Sequence, residues 1–211
     1  MKETMTVHEA LCELKTLRKR VEDGINESVA ITYKEQGSST LNGRPVKDVV
    51  DSIKSQHQSV TDLISRMIAI KAAVNQYNAE KKITVAGKEY SIAQAIYMKT
   101  YGIETKRELL TRYQSLLKHA TVYVESQNGD KLNARAETAM TSIFGNKEKV
   151  DPEKYLEGLK NYKAEHMLVL VDPLNLADVV KKMEEDIVAF ESKVDSAIQI
   201  ANATTQIDIE Y

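Results

Sequence analysis

The sequence predicts a mainly α fold, an antiparallel bundle or coiled coil of long helices with a small β-hairpin or three-stranded sheet. Apolar residues recur at three- and four-residue steps over most of the 211 residues. The chain has only 8 Gly, 3 Pro and no Trp, which argues against sandwiches, barrels and glycine-loop nucleotide folds. Short alternating segments interrupt the helical rhythm near residues 82–92 and 206–210.

Composition narrows the class of protein. Hydrophobic residues make up 42% and charged residues 28%, so the chain can bury a core. The formal charge of −2 gives no overall attraction to nucleic acid. The single cysteine, Cys12, excludes an intrachain disulfide and a zinc site built on several cysteines. The longest plain apolar run, residues 167–171, is far shorter than the ~20 residues of a membrane helix. We therefore expect a cytoplasmic protein with no membrane association and no cofactor.

The first helix begins at a capping box. The hydroxyl of Thr6 can accept from the amide of Glu9, whose side chain can reach back to the cap. Apolar residues then follow at helical spacing as far as Ile25. The basic run 18–20 is typical of a solvated helix face. Residues 32–45 are rich in turn-forming residues, so we expect a loop or a loose hairpin there.

The second helix, over residues 46–77, is the longest. Its apolar stripe keeps a 3-4 rhythm for four heptads, which at 1.5 Å per residue gives a rod of about 48 Å. Gln56 and His57 interrupt this stripe. They indicate a kink, a polar layer or a break into two helices.

The period changes from helical to alternating at residues 82–92. Apolar and polar residues alternate on either side of Ala86-Gly87, which predicts a small hairpin. Ser91 and Gln94 have the spacing of a second capping box, so the next helix is expected to begin there.

That helix meets Gly102, which allows a stop or a bend. The apolar rhythm resumes over residues 103–123, and a turn is predicted at residues 127–130. We divide the chain there into helical units 1–126 and 127–211, which form one continuous fold.

The second of these units contains Asp-Pro pairs, which are typical of a helix N-cap followed by proline at the first helical position. Its predicted elements are a helix over 133–144 ended by Gly145, a helix that begins at Asp151-Pro152, a strand or extended connector over 167–171, a final helix from Asp172-Pro173 to about Ala201, and an edge strand over 206–210.

The two longest helices end in similar sequences. Residues 73–85 align without gaps on residues 197–209. Two interpretations stay open: two independent solutions to the same helix-to-strand corner, or a pseudo-symmetric pair whose strands share one small sheet. The second places the C-terminal strand beside the hairpin. The identical pairs are Ala73/Ala197, Asn78/Asn202, Ala79/Ala203 and Ile83/Ile207.

The junction of the helix ends and the hairpin is the best candidate for a binding site. Its amide, ammonium and tyrosine groups could hold a small anionic or nucleotide-like ligand. Any exposed corner of this kind carries similar groups. The candidate ligand-binding residues are Asn75, Asn78, Lys81, Lys82, Lys88, Tyr90 and Lys99, with Asn202 and Thr204 joining if the repeat is real.

Catalytic and metal-binding patterns are scarce. The sequence has no zinc-protease, phosphate-loop or nucleophile-elbow motif. His8 and Cys12, four residues apart on one helix, could hold a metal, but a capping-turn histidine beside a buried thiol is the simpler interpretation. We predict no metal site, no catalytic residue and no enzymatic activity.

Three segments within the first 117 residues carry a family resemblance. They are the helix 9–20 (EALCELKTLRKR), the helix end 74–78 (VNQYN) and the Gly87…Ser91…Ala95 spacing. They resemble the septicolysin-like family of small helical proteins. With residues 171–174 (VDPL) and 202–204 (NAT), the chain also looks like uncharacterised proteins of tailed phages of Gram-positive bacteria. The resemblance implies a helical fold and a phage origin, and it carries over no catalytic residue.

Two functions follow as expectations. The first is a non-enzymatic, phage-encoded interaction protein that forms homo-oligomers and binds a host or phage protein through a helix face or an edge strand. The strand over residues 206–210 would be a template for such pairing. The alternative is a phage anti-defence protein that sequesters a nucleotide-type signalling molecule of the host at the helix–hairpin corner.

Overall fold

The apolar periodicity of the sequence produces long helices in the computed structural model, which describes residues 2–145 and 151–211. Most of these residues are helical and the strands form short antiparallel pairs, so the mainly α fold with minor β structure is confirmed. The helices are α1 (Val7–Glu27), α2 (Val46–Glu80), α3 (Ile92–Tyr97), α4 (Ile103–Asn128), α5 (Asp130–Phe144), α6 (Pro152–His166) and α7 (Leu176–Thr204). The strands are β1 (Lys2–Thr6), β2 (Thr40–Leu41), β3 (Arg44–Pro45), β4 (Lys82–Val85), β5 (Lys88–Ser91) and β6 (Gln206–Glu210).

The described residues divide into two compact units. Unit 1 contains residues 2–100 and 189–211, and unit 2 contains residues 101–188. These bounds differ from the predicted units 1–126 and 127–211. The helix α7 begins in unit 2, and its second half belongs to unit 1.

The pair α1–α2 contributes to one hydrophobic core of unit 1. Gly24 lies against Val60 while Glu13 contacts Arg66, so the two helices run antiparallel. The interval of three and four residues places the apolar side chains of each helix on the face that meets the other. Buried side chains of this core are Met5, Ala10, Leu17, Ile70, Val74 and Ile209.

Three predicted interruptions of the helices resolve differently. α2 is a single helix through Gln56 and His57, which are both exposed, so the break into two helices does not occur. The helix does not end at Gly102, because a π-helical segment, Met98–Gly102, joins α3 to α4. In the turn-rich stretch, β2 and β3 pair as a small hairpin, as one of the two expectations had it.

The C-terminal strand pairs with β1, not with the hairpin. The prediction of a three-stranded or shared sheet is therefore wrong. The sequence of β1 gives no alternating apolar pattern, because Met5 is its only large apolar residue among those described. Met5 faces Ile207 across the pair, and Glu3 faces Ile209. Pairing with β6, rather than local propensity, therefore makes this segment a strand.

A helix-to-strand corner nevertheless occurs twice in unit 1. The first corner consists of the end of α2, the hairpin β4–β5 and the start of α3. The amide of Lys81 donates to the Tyr77 carbonyl at 2.9 Å, and the Lys81 carbonyl accepts from the amide of Ile92 at 2.9 Å. Ala86 and Gly87 have φ of 50° and 79°, as a two-residue hairpin turn requires. The predicted hairpin is confirmed.

The second corner consists of the end of α7, β6, β1 and the start of α1. The amide of Thr205 donates to the Ala201 carbonyl at 3.0 Å, and the Thr205 carbonyl accepts from the amide of Val7 at 3.0 Å. The same hydrogen bonds thus close both corners, although no turn joins β6 to β1.

The two corners correspond residue by residue. Both enter their next helix through a complete capping box, as predicted. The strands keep the same register in both corners. The sequence echo is therefore a structural repeat of the corner, with its strands in separate pairs. Matching positions, first corner before second, are Tyr77/Ala201, Lys81/Thr205, Ile83/Ile207, Ser91/Thr6, Ile92/Val7 and Gln94/Glu9.

In unit 2, α5 and α6 pack around a small core of Ala136, Met140, Tyr155 and Leu159. The predicted cap of α6 is confirmed, since the Asp151 carboxylate accepts from the amide of Glu153 at 3.0 Å.

The helix α7 begins at Leu176, three residues after the predicted proline position. The Asp172 carboxylate accepts hydrogen bonds from the amides of Leu174 at 3.3 Å and Leu176 at 2.7 Å. These bonds hold residues 172–175 in a turn before the helix begins. Residues 167–171 form the connector before it and belong to no strand.

Candidate functional site

A cavity of about 420 Å³ lies where the end of α2 meets β6, at the predicted corner. Of the predicted site residues, Lys81 lines it. Glu80 and Asp208 also line it, and their carboxylates accept hydrogen bonds from Gln76 at 3.0 Å and from Thr4 at 2.6 Å. Two carboxylates face one ammonium group, so the electrostatics of this cavity disfavour an anionic ligand.

Asp208 is held in its charged form. The hydrogen bond from the Thr4 hydroxyl and, next, the Lys2 ammonium at 3.6 Å lower the pKa of Asp208 below its usual range. The carboxylate therefore stays negative at neutral pH, which strengthens the case against an anion here.

Each of the two corners buries one polar atom near the end of its long helix. The Tyr77 hydroxyl and the Asn202 carbonyl oxygen Oδ1 have no hydrogen-bond partner among the described residues. Burial raises the pKa of Tyr77, and the neighbouring Thr205 side chain partly offsets that rise. Tyr77 therefore remains a neutral phenol in the wall of the cavity.

The other predicted residues of the corner point in several directions. Lys82 pairs with Glu89 at 2.9 Å. Lys99 pairs with Asp195 at 2.5 Å. These cations already have anionic partners, so a ligand would have to compete with a salt bridge.

The remaining predicted residues are also spread out. Asn78 is half-buried near the end of α2, and Lys88 is exposed at the start of β5. The Thr204 hydroxyl donates to the Ile200 carbonyl at 2.8 Å. The structure therefore does not gather the predicted residues into one pocket.

Tyr90 lines a different cavity, of about 490 Å³, with Tyr97 and Met98. Its ring meets Phe190 edge-on with 5.6 Å between centroids, so its main role is packing.

A groove between α1 and α2 has a more distinctive chemistry. It encloses about 680 Å³ and has an apolar floor rimmed by cations. Ile68 is 61% exposed in it, which is unusual for an isoleucine beside the buried Ile70. The residues that line the groove are Leu14, Lys15, Arg18, Met67, Ile68, Lys71, Ala72 and Asn75.

The rim of this groove carries uncompensated positive charge. Lys15, Arg18 and Lys71 are exposed, and none forms a salt bridge with a residue that the structure describes. None of the described lining residues is acidic. The arrangement suits a ligand with an apolar surface flanked by negative charge.

The corresponding place in the structural repeat carries an ion pair. The residue-number offsets that relate the two corners match Leu14 with Lys99 and Lys71 with Asp195. Lys99 and Asp195 form the salt bridge described above. An exposed ion pair within the chain thus stands at the position where the α1–α2 groove has Leu14 and Lys71.

Sequence reasoning placed Asn75 in the site but missed the rest of the groove. The neglected signal is Ile68, which widens the apolar stripe of α2 beyond the face that packs on α1. The run 18–20 is exposed, as expected of a solvated face, yet Arg18 also lines the groove.

Within residues 2–145 and 151–211, no three histidine, cysteine or acidic side chains form a cluster that could hold a metal. The Cys12 Sγ lies 3.8 Å from the His8 Nε2. The thiol is exposed, so the expectation of a buried one is wrong.

No helix in the described part of the chain is long and apolar enough to cross a membrane. The sequence matches no family model and no curated protein, and the fold matches no solved structure. The resemblance to septicolysin-like and phage proteins therefore stays a prediction that rests on the segments quoted for it.

Proposed function

We propose that this chain is a non-enzymatic interaction protein whose α1–α2 groove binds an acidic amphipathic helix of a partner protein. The single observation that carries this proposal is the groove itself, with its apolar floor and its three exposed cations. An amphipathic helix places apolar residues on one face and can flank them with carboxylates, which matches both features.

The floor supplies affinity and the rim supplies orientation. Covering Ile68 would remove its exposed apolar surface from water, and full burial of such a side chain contributes about 1.5–3 kcal/mol. The exposed cations contribute less, because solvent screens them, but they select negative over positive partners.

The test measures fluorescence anisotropy of a labelled 18-residue helical peptide with leucines on one face and glutamates beside them. We expect the acidic peptide to bind and a matched peptide with lysines to fail. Raising the salt concentration should weaken binding, because it screens the rim.

Two variants locate the site. Ile68→Asp and Arg18→Glu should each weaken peptide binding by about tenfold or more. Ile200→Asp is the matched control, since Ile200 is 62% exposed on α7 outside the groove. Equal binding by all three variants would contradict the proposal. Binding to anionic lipid vesicles but not to the acidic peptide would replace the partner helix by a membrane surface.

Sequestration of a nucleotide-type molecule stays a prediction that the charges of the corner do not favour. Phage origin likewise stays a prediction, and no residue of the groove depends on it.

A further inference from the structure

The connector between α6 and α7 is an exposed apolar segment of unit 2. Residues 167–171 read Met-Leu-Val-Leu-Val and carry no charge. Met167 is 51% exposed, Val169 68% and Val171 90%. Such a run, rich in β-branched residues, is typical of a strand rather than of a solvated linker.

One edge of this connector is already bonded. The side-chain amide of Asn128 donates to the Leu168 carbonyl at 2.7 Å, and the Asn128 side-chain oxygen accepts from the Leu168 amide at 2.8 Å. These two hydrogen bonds imitate one rung of an antiparallel ladder. Asn128 thereby holds the segment extended from one side.

The opposite edge has no such bonds. In an extended chain, successive residues turn their backbone groups to alternate edges, so Val169 and Val171 present theirs away from Asn128. No backbone hydrogen bond joins Val169 or Val171 to any residue in the described ranges. An unpaired edge with apolar side chains is a template for another strand.

We propose that this edge pairs antiparallel with the same segment of a second copy of the chain, with the two-fold axis at Val169. In this register Met167 lies opposite Val171 of the second copy. A symmetric contact of this kind uses one patch on both copies.

The register gives four backbone hydrogen bonds. The two Val169 residues exchange amide and carbonyl in both directions, which supplies two. The amide of each Val171 reaches the Met167 carbonyl of the other copy, which supplies two more. The Met167 amide is left out, because it donates to the Lys163 carbonyl at 2.9 Å.

The composition of the segment favours a second copy over a charged partner. The segment is uncharged and apolar on both faces, so its best match is an equally apolar strand. Self-pairing also matches the groups that are free on this edge, because the Met167 carbonyl meets the Val171 amide of the second copy while the Met167 amide is already bonded to Lys163. This contact lies in unit 2 and is independent of the groove in unit 1.

The test is oxidative cross-linking in a Cys12→Ser background. Directly opposed residues of a hydrogen-bonded pair lie about 5.5 Å apart at Cα, within the range that a disulfide can bridge. Val169→Cys should therefore give a covalent dimer on a non-reducing gel. Val171→Cys is the matched control, since it is more exposed yet faces Met167, and it should stay monomeric.

Sedimentation velocity of the Cys12→Ser chain supplies the second measurement. We expect a concentration-dependent doubling of mass that Val169→Pro abolishes, because proline removes the amide on the outer edge. Leu170→Pro removes an amide on the other edge and should leave the dimer intact. A chain that stays monomeric and shows no Val169→Cys cross-link would overturn the proposal. Equal cross-linking of both cysteine variants, or a dimer that survives Val169→Pro, would also overturn it.

Discussion

The two corners of unit 1 share their hydrogen bonds, register and capping boxes, yet they are built from chain segments in opposite ways. In the first corner a two-residue turn joins the strands. In the second corner the bonded residues Thr4 and Asp208 are 204 residues apart in sequence. The comparison teaches that the geometry of the corner depends on the helix ends and caps, because the covalent turn is present in only one copy.

The side chains that support each corner have also diverged. Under the second corner, Arg66 bonds to Glu13 at 3.0 Å and to Glu3 at 2.9 Å. The offset of the repeat carries Arg66 onto Phe190, which packs on Tyr90 instead. One copy therefore uses charge and the other uses aromatic packing at the same position.

The largest effect should come from charging the two matching core positions. Ile70 is 0% exposed and Val194 is 1% exposed. We expect Ile70→Asp and Val194→Asp each to cost at least about 4 kcal/mol of unfolding free energy, because each buries an unpaired carboxylate. Urea denaturation followed by circular dichroism measures this. Ile68→Asp is the control and should change stability by less than about 0.5 kcal/mol, since its side chain is exposed. An unchanged midpoint for Ile70→Asp would mean that α2 packs through another face.

The next largest losses of stability should come from the side chains that support the two corners, Phe190 and Arg66. Phe190→Ala removes a side chain that is 4% exposed, and we expect a loss of about 3–5 kcal/mol. Arg66→Ala removes hydrogen bonds of a side chain that is 20% exposed, and we expect about 1.5–3 kcal/mol. High salt should reduce the second loss and leave the first unchanged. The reverse order of losses would show that the charged anchor is the stronger one.

Substitutions in the two capping boxes test whether the second corner, whose strands no turn joins, is as well formed as the first. Thr6→Ala and Ser91→Ala each remove a capping hydroxyl, and we expect each to cost about 1 kcal/mol. Thr6→Ser keeps the hydroxyl and should retain most of the stability. A negligible loss for Thr6→Ala alone would indicate that the β1–β6 corner frays in solution.

The smallest effect is a pH dependence that only one cap should show. Hydrogen bonds from the Thr6 amide and then the Thr6 hydroxyl lower the pKa of Glu9 from its usual 4.5. A carboxylate whose pKa is lowered by folding stabilises above its usual pKa and loses that contribution as the pH falls through the lowered value. The advantage of the native chain over Glu9→Gln should therefore shrink below pH 4.5. The matching residue of the other capping box, Gln94, cannot titrate. Gln94→Ala should therefore cost the same unfolding free energy above and below pH 4.5.

Sequence reasoning succeeded where a structure depends on neighbouring residues. Thr6, Ser91 and Asp151 are caps because of the residues within one turn, and Ala86-Gly87 is a turn by itself. It failed for β1, whose strand state depends on a partner 204 residues away.

The candidate site fared less well for the same reason. Lys81, Tyr90 and Asn75 are near in sequence but line three different cavities. The α1–α2 groove needs Leu14 and Ile68 side by side, and only the register of two packed helices sets that. No local pattern contains that register.

The pairing of β1 with β6 has a consequence for the order of folding. On a ribosome that adds about 5–20 residues per second, β1 emerges roughly 10–40 s before its partner strand. During that interval Glu3 and Met5 have no β6 to face, whereas the first corner can already close on itself. Nascent chains should therefore acquire the α2–α3 half early and complete the α7–α1 half only when translation reaches the final strand.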